Sequence, residues 1–481
     1  MMHALVMLHR WLGVATCLLF AMWFASGIVM HFVPYPALSE AERIAGMAPL
    51  DRGSLSHGPA DAVAASRIAA ATRVRLLQRI DGAVYVVSAG PAVKAVRAAD
   101  LADGAVGSSQ LALAIAKDYA RRRGSGAPSA QVIALTAYDQ WTFSAAFEAH
   151  RPLYRIAMNN ERGAELYVSS ATGEVVLETD RRQRLWNYLG SVPHWIYPTA
   201  LRSHAAAWRR LVWWVSLLAL IGAAAGALLG VLRIEIKRGQ PLSLYRGWQA
   251  WHHGLGVCCM LFVLTWILSG WLSMDNGRLF STGKPSTSEI AAVAGVPDWN
   301  ARPGSEGRLD PRTVEVEWFA FAGRIYERER AAPGNKGAVI AGSPAEAAPP
   351  GSLLGPNEIN SVAHHLARKC ARAIMIGRDD RYLPASTDAP IFRVICGDLW
   401  FDIDATNGAL LEKLDRSRRA YRWLFGALHT FDFPVLAAYP TLRTSLIVAL
   451  CGFGFAFSLT GIVIAARRLL SCFARSAGIG A

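Results

Sequence analysis

His9-Arg10-Trp11-Leu12-Gly13-Val14 with Ser26-Gly27, and His252-His253-Gly254-Leu255-Gly256-Val257 with Ser269-Gly270, are the stretches whose reading decides the fold. In both copies a histidine precedes one glycine by 4 residues and a second by 18. Each lies in an apolar run long enough to cross a bilayer core of about 30 Å, which takes roughly 20 helical residues. A second matched pair follows the same logic: His194 precedes Gly226 by 32 residues, and His429 precedes Gly461 by 32. These histidines come after Arg184-Leu185-Trp186-Asn187-Tyr188 and Arg419-Ala420-Tyr421-Arg422-Trp423. Agreement of this kind marks an internal duplication. The chain reads as a tandem of span, outer domain, span, and two units of equal orientation predict a parallel repeat about an axis along the membrane normal.

Working outward, four spans are expected near Val6–Val33, Leu211–Leu232, Trp251–Met274 and Leu442–Ala465. The segments are then a first helix in 1–33, an outer domain in 34–207, a second helix in 208–232 and a basic loop in 233–250. A third helix in 251–274, a second outer domain in 275–435, a fourth helix in 436–466 and a tail in 467–481 complete the chain. The short loop carries Arg233, Lys237, Arg238 and Arg246, and the tail Arg467, Arg468 and Arg475, so both are expected in the cytoplasm. An even number of spans is then expected to place both termini on the cytoplasmic side and both large regions outside, in the periplasm if the membrane is the inner one of a Gram-negative bacterium. The apolar core of the first span exceeds a signal-peptide h-region, which reads as an uncleaved anchor.

Composition agrees. The 481 residues are 53% hydrophobic and only 18% charged, against about 25% charged in a soluble protein. The basic excess, 50 Lys+Arg against 36 Asp+Glu, flanks the apolar runs instead of forming a tract, so it reads as topology and not as nucleic-acid binding. The seven cysteines form no C-x-x-C pair. Cys17, Cys258, Cys259 and Cys451 fall in apolar runs, where they read as small packing residues, while Cys370 and Cys396 fall in the second outer region as candidates for a disulfide.

Within the outer regions, Ala83–Ser88 and Trp141–Glu148 look strand-like. Ala164–Glu178 reads as a hairpin turning at Ala171-Thr172-Gly173, and Leu399–Ile403 with Ala409–Lys413 as another around Asp404-Ala405-Thr406-Asn407-Gly408. Residues 331–355, rich in Ala, Gly and Pro, read as a flexible insertion. The expected fold class is a membrane α-helical four-span bundle built as a tandem repeat, with two extracytoplasmic α+β domains.

The histidines carry the chemistry. A parallel repeat would bring His9 and His252 to opposite sides of one site at the inner leaflet, and His194 and His429 to opposite sides of one at the outer leaflet. Two neutral imidazoles are the axial set of a six-coordinate b-type haem. Two such haems would divide a bilayer too thick for one efficient electron step, with Gly13, Gly27, Gly256 and Gly270 allowing close approach of helices or a flat macrocycle. His31, at the other end of the first span, is an alternative outer ligand, and His253 an alternative to His252. His204, His364 and His365 read as surface residues, and His57 and His150 as weaker candidates.

Trp208, Trp213, Trp214, Trp271 and Trp423 read as interfacial anchors. Arg202, Arg209, Arg210 and Arg443 read first as solvated interface charges and second as groups that would attract an anionic ligand or haem propionates, and Asp379-Asp380 as a weak cation site. No phosphate loop, G-x-S-x-G elbow or H-E-x-x-H occurs, so nothing points to hydrolysis.

In His9-Arg10-Trp11-Leu12-Gly13 with Ser26-Gly27, in the hairpins at Thr172-Gly173 and Asn407-Gly408, and in Leu428-His429 leading to Thr460-Gly461, the sequence resembles the PepSY-associated transmembrane family. That family includes iron-regulated inner-membrane proteins and ferric-siderophore reductases. The resemblance implies PepSY-like periplasmic domains and, as in the reductases, b-type haems that pass electrons to Fe(III) in a siderophore. The family usually has glycines soon after the outer histidine, whereas Trp195-Ile196-Tyr197-Pro198 and Thr430-Phe431-Asp432-Phe433 follow here. The expected partners are a ferric siderophore or other Fe(III) chelate, a cytoplasmic or membrane electron donor, and the lipid bilayer. Two other readings stand beside this one: a membrane-anchored module binding a peptide, protease or envelope partner, and an iron-chelate permease.

Overall fold

The computed structural model describes residues 2–476 apart from 52, 54, 127–128, 235–242, 301–310, 332–338, 342–353, 368, 378 and 384–389. Lys237, Arg238 and most of the expected insertion therefore lie outside the described residues. The chain divides into two compact units. One is helical and comprises residues 1–35, 185–280 and 419–481; the other is α+β and comprises 36–184 and 281–418.

Among the described residues the helical unit holds four helices long and apolar enough to cross a membrane: Met2–Phe32, Ala205–Leu232, Trp248–Ser273 and a fourth, Pro440–Ser476, that runs well past the expected end. Their few hydroxyl side chains bond back to the preceding turn, which removes polar atoms from lipid. Thr16 donates to the Leu12 carbonyl at 2.7 Å, Ser216 to Val212 at 2.5 Å and Ser458 to Gly454 at 2.7 Å. Phe24, Cys259, Val263, Ile447 and Cys451 form the buried centre, with Phe262, Trp266 and Phe431 packed on it. Residues 185–204 and 419–435, expected in the outer domains, belong to this unit instead. The cause is local: short helices there carry the buried Asn187 and Val192, and Asn187 Nδ2 donates to the Pro34 carbonyl at 3.1 Å.

Among the described residues the α+β unit has fourteen strands. Its first half contributes β1 (Arg73–Arg79), β2 (Gly82–Ala89), β3 (Ala92–Arg97), β4 (Gln131–Thr136), β5 (Leu153–Ala157), β6 (Glu165–Ser169) and β7 (Val175–Thr179). The second half contributes β8 (Thr313–Phe321), β9 (Arg324–Ala331), β10 (Val339–Ala341), β11 (Ile374–Ile376), β12 (Ile391–Cys396), β13 (Leu399–Asp404) and β14 (Leu410–Leu414). Strands β4-β5-β6-β7 and β11-β12-β13-β14 form separate four-stranded sheets, each closed on one face by one helix, Ser109–Arg122 or Pro356–Leu366. The remaining six join in one sheet, ordered β10-β9-β8-β1-β2-β3, whose central β1–β8 pair is antiparallel with Leu77 opposite Glu315. The two outer regions thus meet in a shared sheet and make one compact unit rather than two separate domains.

Both expected hairpins form, β6–β7 and β13–β14, with Gly173 at φ +75° and Gly408 at φ +65°, a conformation that favours glycine. Trp141–Glu148 is not a strand. The Asp139 carboxylate accepts from the Trp141 amide at 2.9 Å and the Thr142 hydroxyl at 3.0 Å, and Ser144 caps a short 3₁₀ helix, Ala145–His150. Of the insertion, the described residues include β10, which pairs with β9 at the sheet edge. Cys370 and Cys396 are joined in a disulfide, with Cα atoms 4.0 Å apart, that fastens the segment after Pro356–Leu366 to β12.

The shared sheet is crossed by a buried charge network. Glu315 on β8, wholly buried, pairs with Arg43 at 2.8 Å, Arg75 at 3.2 Å and Arg330. Arg75 also holds Glu174 at 2.6 Å, and Arg73 and Arg330 hold Glu317. Burial alone would raise the Glu174 pKa, but the charge and hydrogen bonds of Arg75 outweigh it and bring it down to about 2. For Glu315 burial is likewise outweighed, by Arg43, Arg75 and Arg330, which hold the carboxyl well below the usual range. Both groups bind protons less readily folded than unfolded, so their stabilisation is full above an unfolded pKa of about 4.3 and is lost as pH falls toward about 2. Thermal unfolding of the detergent-solubilised full chain should show Tm dropping across that window. Glu315→Ala, which leaves Arg43, Arg75 and Arg330 with only their second carboxylates, Glu40, Glu174 and Glu317, should destabilise the α+β unit by about 3 kcal/mol at neutral pH.

Candidate functional site

Four histidines meet in two pairs inside the helical unit. The ring centres of His9 and His252 lie 6.2 Å apart, and those of His194 and His429 lie 6.3 Å apart. His9 comes from the first long helix and His252 from the third. His194 ends a short helix, Ser191–His194, and His429 lies in the turn Leu428–Thr430 that follows a π-helical stretch, Arg422–Ala427.

Each ring rests on a glycine. A Cβ on Gly226 would come within 2.5 Å of His9 Cε1, so nothing larger than glycine leaves that ring in place. A Cβ placed on Gly461 would lie 3.5 Å from His252 Cε1, one on Gly27 3.6 Å from His194 Cε1 and one on Gly270 3.3 Å from His429 Cε1, so each of these glycines also faces its ring. The residue before or near each glycine then takes the ring's Nδ1. The His9 Nδ1–H donates to the Gly222 carbonyl at 3.0 Å. The His252 Nδ1 meets the Thr460 hydroxyl at 2.9 Å, the His194 Nδ1 meets Ser26 at 3.0 Å, and the His429 Nδ1 meets Ser269 at 3.0 Å.

Those hydroxyls have already donated: Thr460 to the Phe457 carbonyl, Ser26 to Met22 and Ser269 to Trp266. Each can therefore only accept from the imidazole. A carbonyl or a spent hydroxyl on Nδ1 fixes the proton there, which leaves Nε2 as an unprotonated lone pair. Among the described residues Nε2 of none of the four makes a hydrogen bond. An imidazole oriented through its far nitrogen is the state of a metal-ligating histidine. Rings stack on the second member of each pair, Phe457 on His252 at 4.7 Å and Phe425 on His429 at 5.1 Å, limiting rotation.

A cavity of about 650 Å³ opens beside the first pair, lined by His9, His252, Gly13, Gly226, Gly256 and Gly461 among others. That volume falls in the usual range of cofactor sites, about 300–1,000 Å³. The two pairs are separated along the first helix by the 18 residues from His9 to Gly27, about 27 Å at 1.5 Å per residue. Between them sit Phe24, Phe262 and Trp266, with ring centres 5.5–6.3 Å apart.

The alternatives fall elsewhere. His31 Nε2 bonds the Thr444 hydroxyl at 2.9 Å, outside either pair. Both nitrogens of His253 are taken, Nδ1 by Ser243 and Nε2 by the Gly230 carbonyl, each at 2.9 Å, so it does not replace His252. His364 and His365 are exposed, His204 bonds the Ala200 carbonyl, His57 lies 3.9 Å from Asp61, and His150 contacts Thr172. Asp380 is bound by Arg393 at 2.8 Å and is not a free cation ligand. Arg443 donates to the Thr430 carbonyl, Arg202 covers the Tyr197 and Trp208 rings, and Trp208 donates to the Trp195 carbonyl.

The sequence spacing marks all four histidines, and Ser26-Gly27 and Ser269-Gly270 as well, but not which histidine each partner meets. Gly226 and Gly461 stand out by their distance from His194 and His429, yet they support His9 and His252. Phe457, Phe425 and the Gly222 carbonyl carry no signal in the sequence, and Thr460 is marked there only beside Gly461, with nothing to pair it with His252. Gly226→Ala should destabilise the full chain by about 1–3 kcal/mol through overpacking, read as a lower Tm. Gly13→Ala, at a position with no neighbour within 4 Å of the new Cβ, should be neutral or slightly stabilising.

A family model described as PepSY-associated TM region matches residues 6–468. No curated protein matches the chain.

Proposed function

The chain belongs to the PepSY-associated TM region family, and from that premise we propose that it is a haem-bearing electron-transfer protein of the bacterial inner membrane that reduces a ferric chelate in the periplasm. The observation that carries this is the pair of imidazole couples with protons fixed on Nδ1. Two imidazoles bound through Nε2 to one iron at about 2 Å, each ring centre about 1.1 Å behind its nitrogen, would have centres about 6 Å apart. The observed 6.2 Å and 6.3 Å agree with that spacing. The glycine under every ring and the cavity beside the first pair supply room for a flat macrocycle.

His9 with His252, and His194 with His429, would hold one b-type haem each, non-covalently, since the sequence lacks a C-x-x-C-H attachment site. Haem would supply a one-electron Fe(III)/Fe(II) couple at each end of the bundle. The protein's own part is positioning. Gly222, Thr460, Ser26 and Ser269 orient the imidazoles and raise their basicity, and the Phe24, Phe262 and Trp266 rings keep water out of the intervening core. One electron from a cytoplasmic or membrane donor converts a substrate Fe(III) to Fe(II), which hard oxygen chelators hold much less tightly. The parallel repeat, cytoplasmic termini and periplasmic PepSY-like region belong to this proposal. The Cys370–Cys396 disulfide supports an oxidising compartment for the α+β unit.

The alternative is a membrane-anchored module that binds a peptide or envelope partner. The edge strands favour it: β4 exposes Ile133 and Leu135 at 47% and 52%, and β11 exposes Ile374 and Met375 at 50% and 58%. An exposed apolar edge suits strand addition by a partner.

Liposomes carrying the full chain, with dithionite-reduced dye inside and a ferric chelate plus an Fe(II) indicator outside, separate these readings. The wild type should produce external Fe(II), and His9→Ala or His429→Ala should reduce the rate at least tenfold. His364→Ala should leave it unchanged. Equal rates in the wild type and both site variants would overturn the redox reading in favour of the binding module.

A further inference from the structure

The cavity beside His9 and His252 is lined at its rim by Arg10, Arg246, Arg467 and Arg468. They arrive from three separate places in the chain: the residue after His9, the turn before the third helix, and the last turns of the fourth helix. Arg467 lies six residues beyond Gly461, which supports His252, about 9 Å farther along the helix. Among the described residues no carboxylate pairs with any of the four, and the only side-chain bond recorded for them is from Arg10 to the Met7 sulfur. The Arg468 Nε is buried without a partner. A guanidinium nitrogen withdrawn from water needs an acceptor, and leaving it without one costs stability.

Three other arginines of the helical unit are already employed. Arg443 holds the Thr430 carbonyl, Arg422 holds Asp432 at 3.2 Å, and Arg202 lies over aromatic rings. Four guanidiniums with no carboxylate partner among the described residues thus line the cavity that sits against the His9–His252 pair. The first long helix and the fourth contain no Asp or Glu, so the charge has no acid within those helices to answer it.

We propose that Arg10, Arg246, Arg467 and Arg468 form a carboxylate-binding subsite that receives the two propionates of the macrocycle and fixes which edge of the ring faces the cavity mouth. This rests on the haem reading of the His9–His252 pair. Arginine is suited to the task because its planar fork takes a carboxylate through two parallel bonds and stays charged in a partly desolvated site. The four guanidiniums exceed the charge of two carboxylates, which leaves the mouth cationic after the ring is bound.

The test compares haemin with its dimethyl ester, which keeps the iron and the ring but removes both carboxylates. Full-length protein, stripped of haem in detergent, is titrated with each and followed by the Soret band. The wild type should bind haemin at least tenfold more tightly than the diester. Arg467→Gln combined with Arg468→Gln should narrow that ratio toward one while the bound haemin keeps its six-coordinate spectrum. The wild-type ratio is decisive without any variant, so a misfolded double variant does not rescue the proposal. Equal wild-type affinity for the acid and the ester would overturn the subsite and leave the histidine ligation standing; the arginines would then serve lipid headgroups. An unchanged preference in a folded double variant would likewise overturn it. Failure of both compounds to give a six-coordinate spectrum would remove the haem reading itself.

Discussion

Everything in the helical unit depends on a hydrogen bond from an imidazole Nδ1–H to an oxygen that can only accept. A histidine in an apolar bundle is free to rotate and to exchange tautomers unless something stops it. Here the Gly222 carbonyl, or a hydroxyl already spent on its own helix, stops the tautomer, and a glycine beneath the ring stops the rotation. The same solution occurs at all four histidines, although the helices, turns and partner residues differ. The cost of placing polar rings in such a core is offset because each has its proton satisfied, and the remaining lone pair is what a metal would use.

The α+β unit has a different centre of gravity. Its two halves are joined through the β1–β8 pair, and a buried carboxylate on β8, Glu315, is ringed by arginines from both halves. Buried charge adds little net stability over an apolar core, but removing one partner is severe. The network therefore ties correct pairing of the halves to complete charge neutralisation: a slip of β8 by one residue would turn Glu315 and Glu317 away from their arginines. Register is specified by charge where the flanking hydrophobic pattern, buried on both faces of β8, gives no alternation to specify it.

Periodicity carried much of this into the sequence. Four apolar runs, two glycine-turned hairpins and the matched histidine spacings were all readable, because each is a local or repeated feature. The pairing of the halves in one sheet was not readable, since β8 is apolar and acidic by turns and nothing local says which strand lies beside it. Residues 185–204 and 419–435 fall in the helical unit rather than an outer domain, because their mixed basic and aromatic character suits a membrane interface and an outer domain alike. Trp141–Glu148 looked like a strand until the Asp139 side chain, competing for backbone amides, turned it. Among the site residues, the histidines showed through repetition, whereas Thr460 and Phe457 depend on which helix faces which, a property of packing alone.

The absorption spectrum of the purified full chain, made in haem-replete cells and recorded oxidised and then dithionite-reduced, tests the central claim most directly. Two imidazole couples of the kind described predict a Soret band that shifts on reduction, a sharp α-band of a low-spin six-coordinate haem, and close to two haems per chain. A spectrum with neither the shift nor the α-band would contradict the account and leave the four histidines as satisfied polar residues of a membrane anchor.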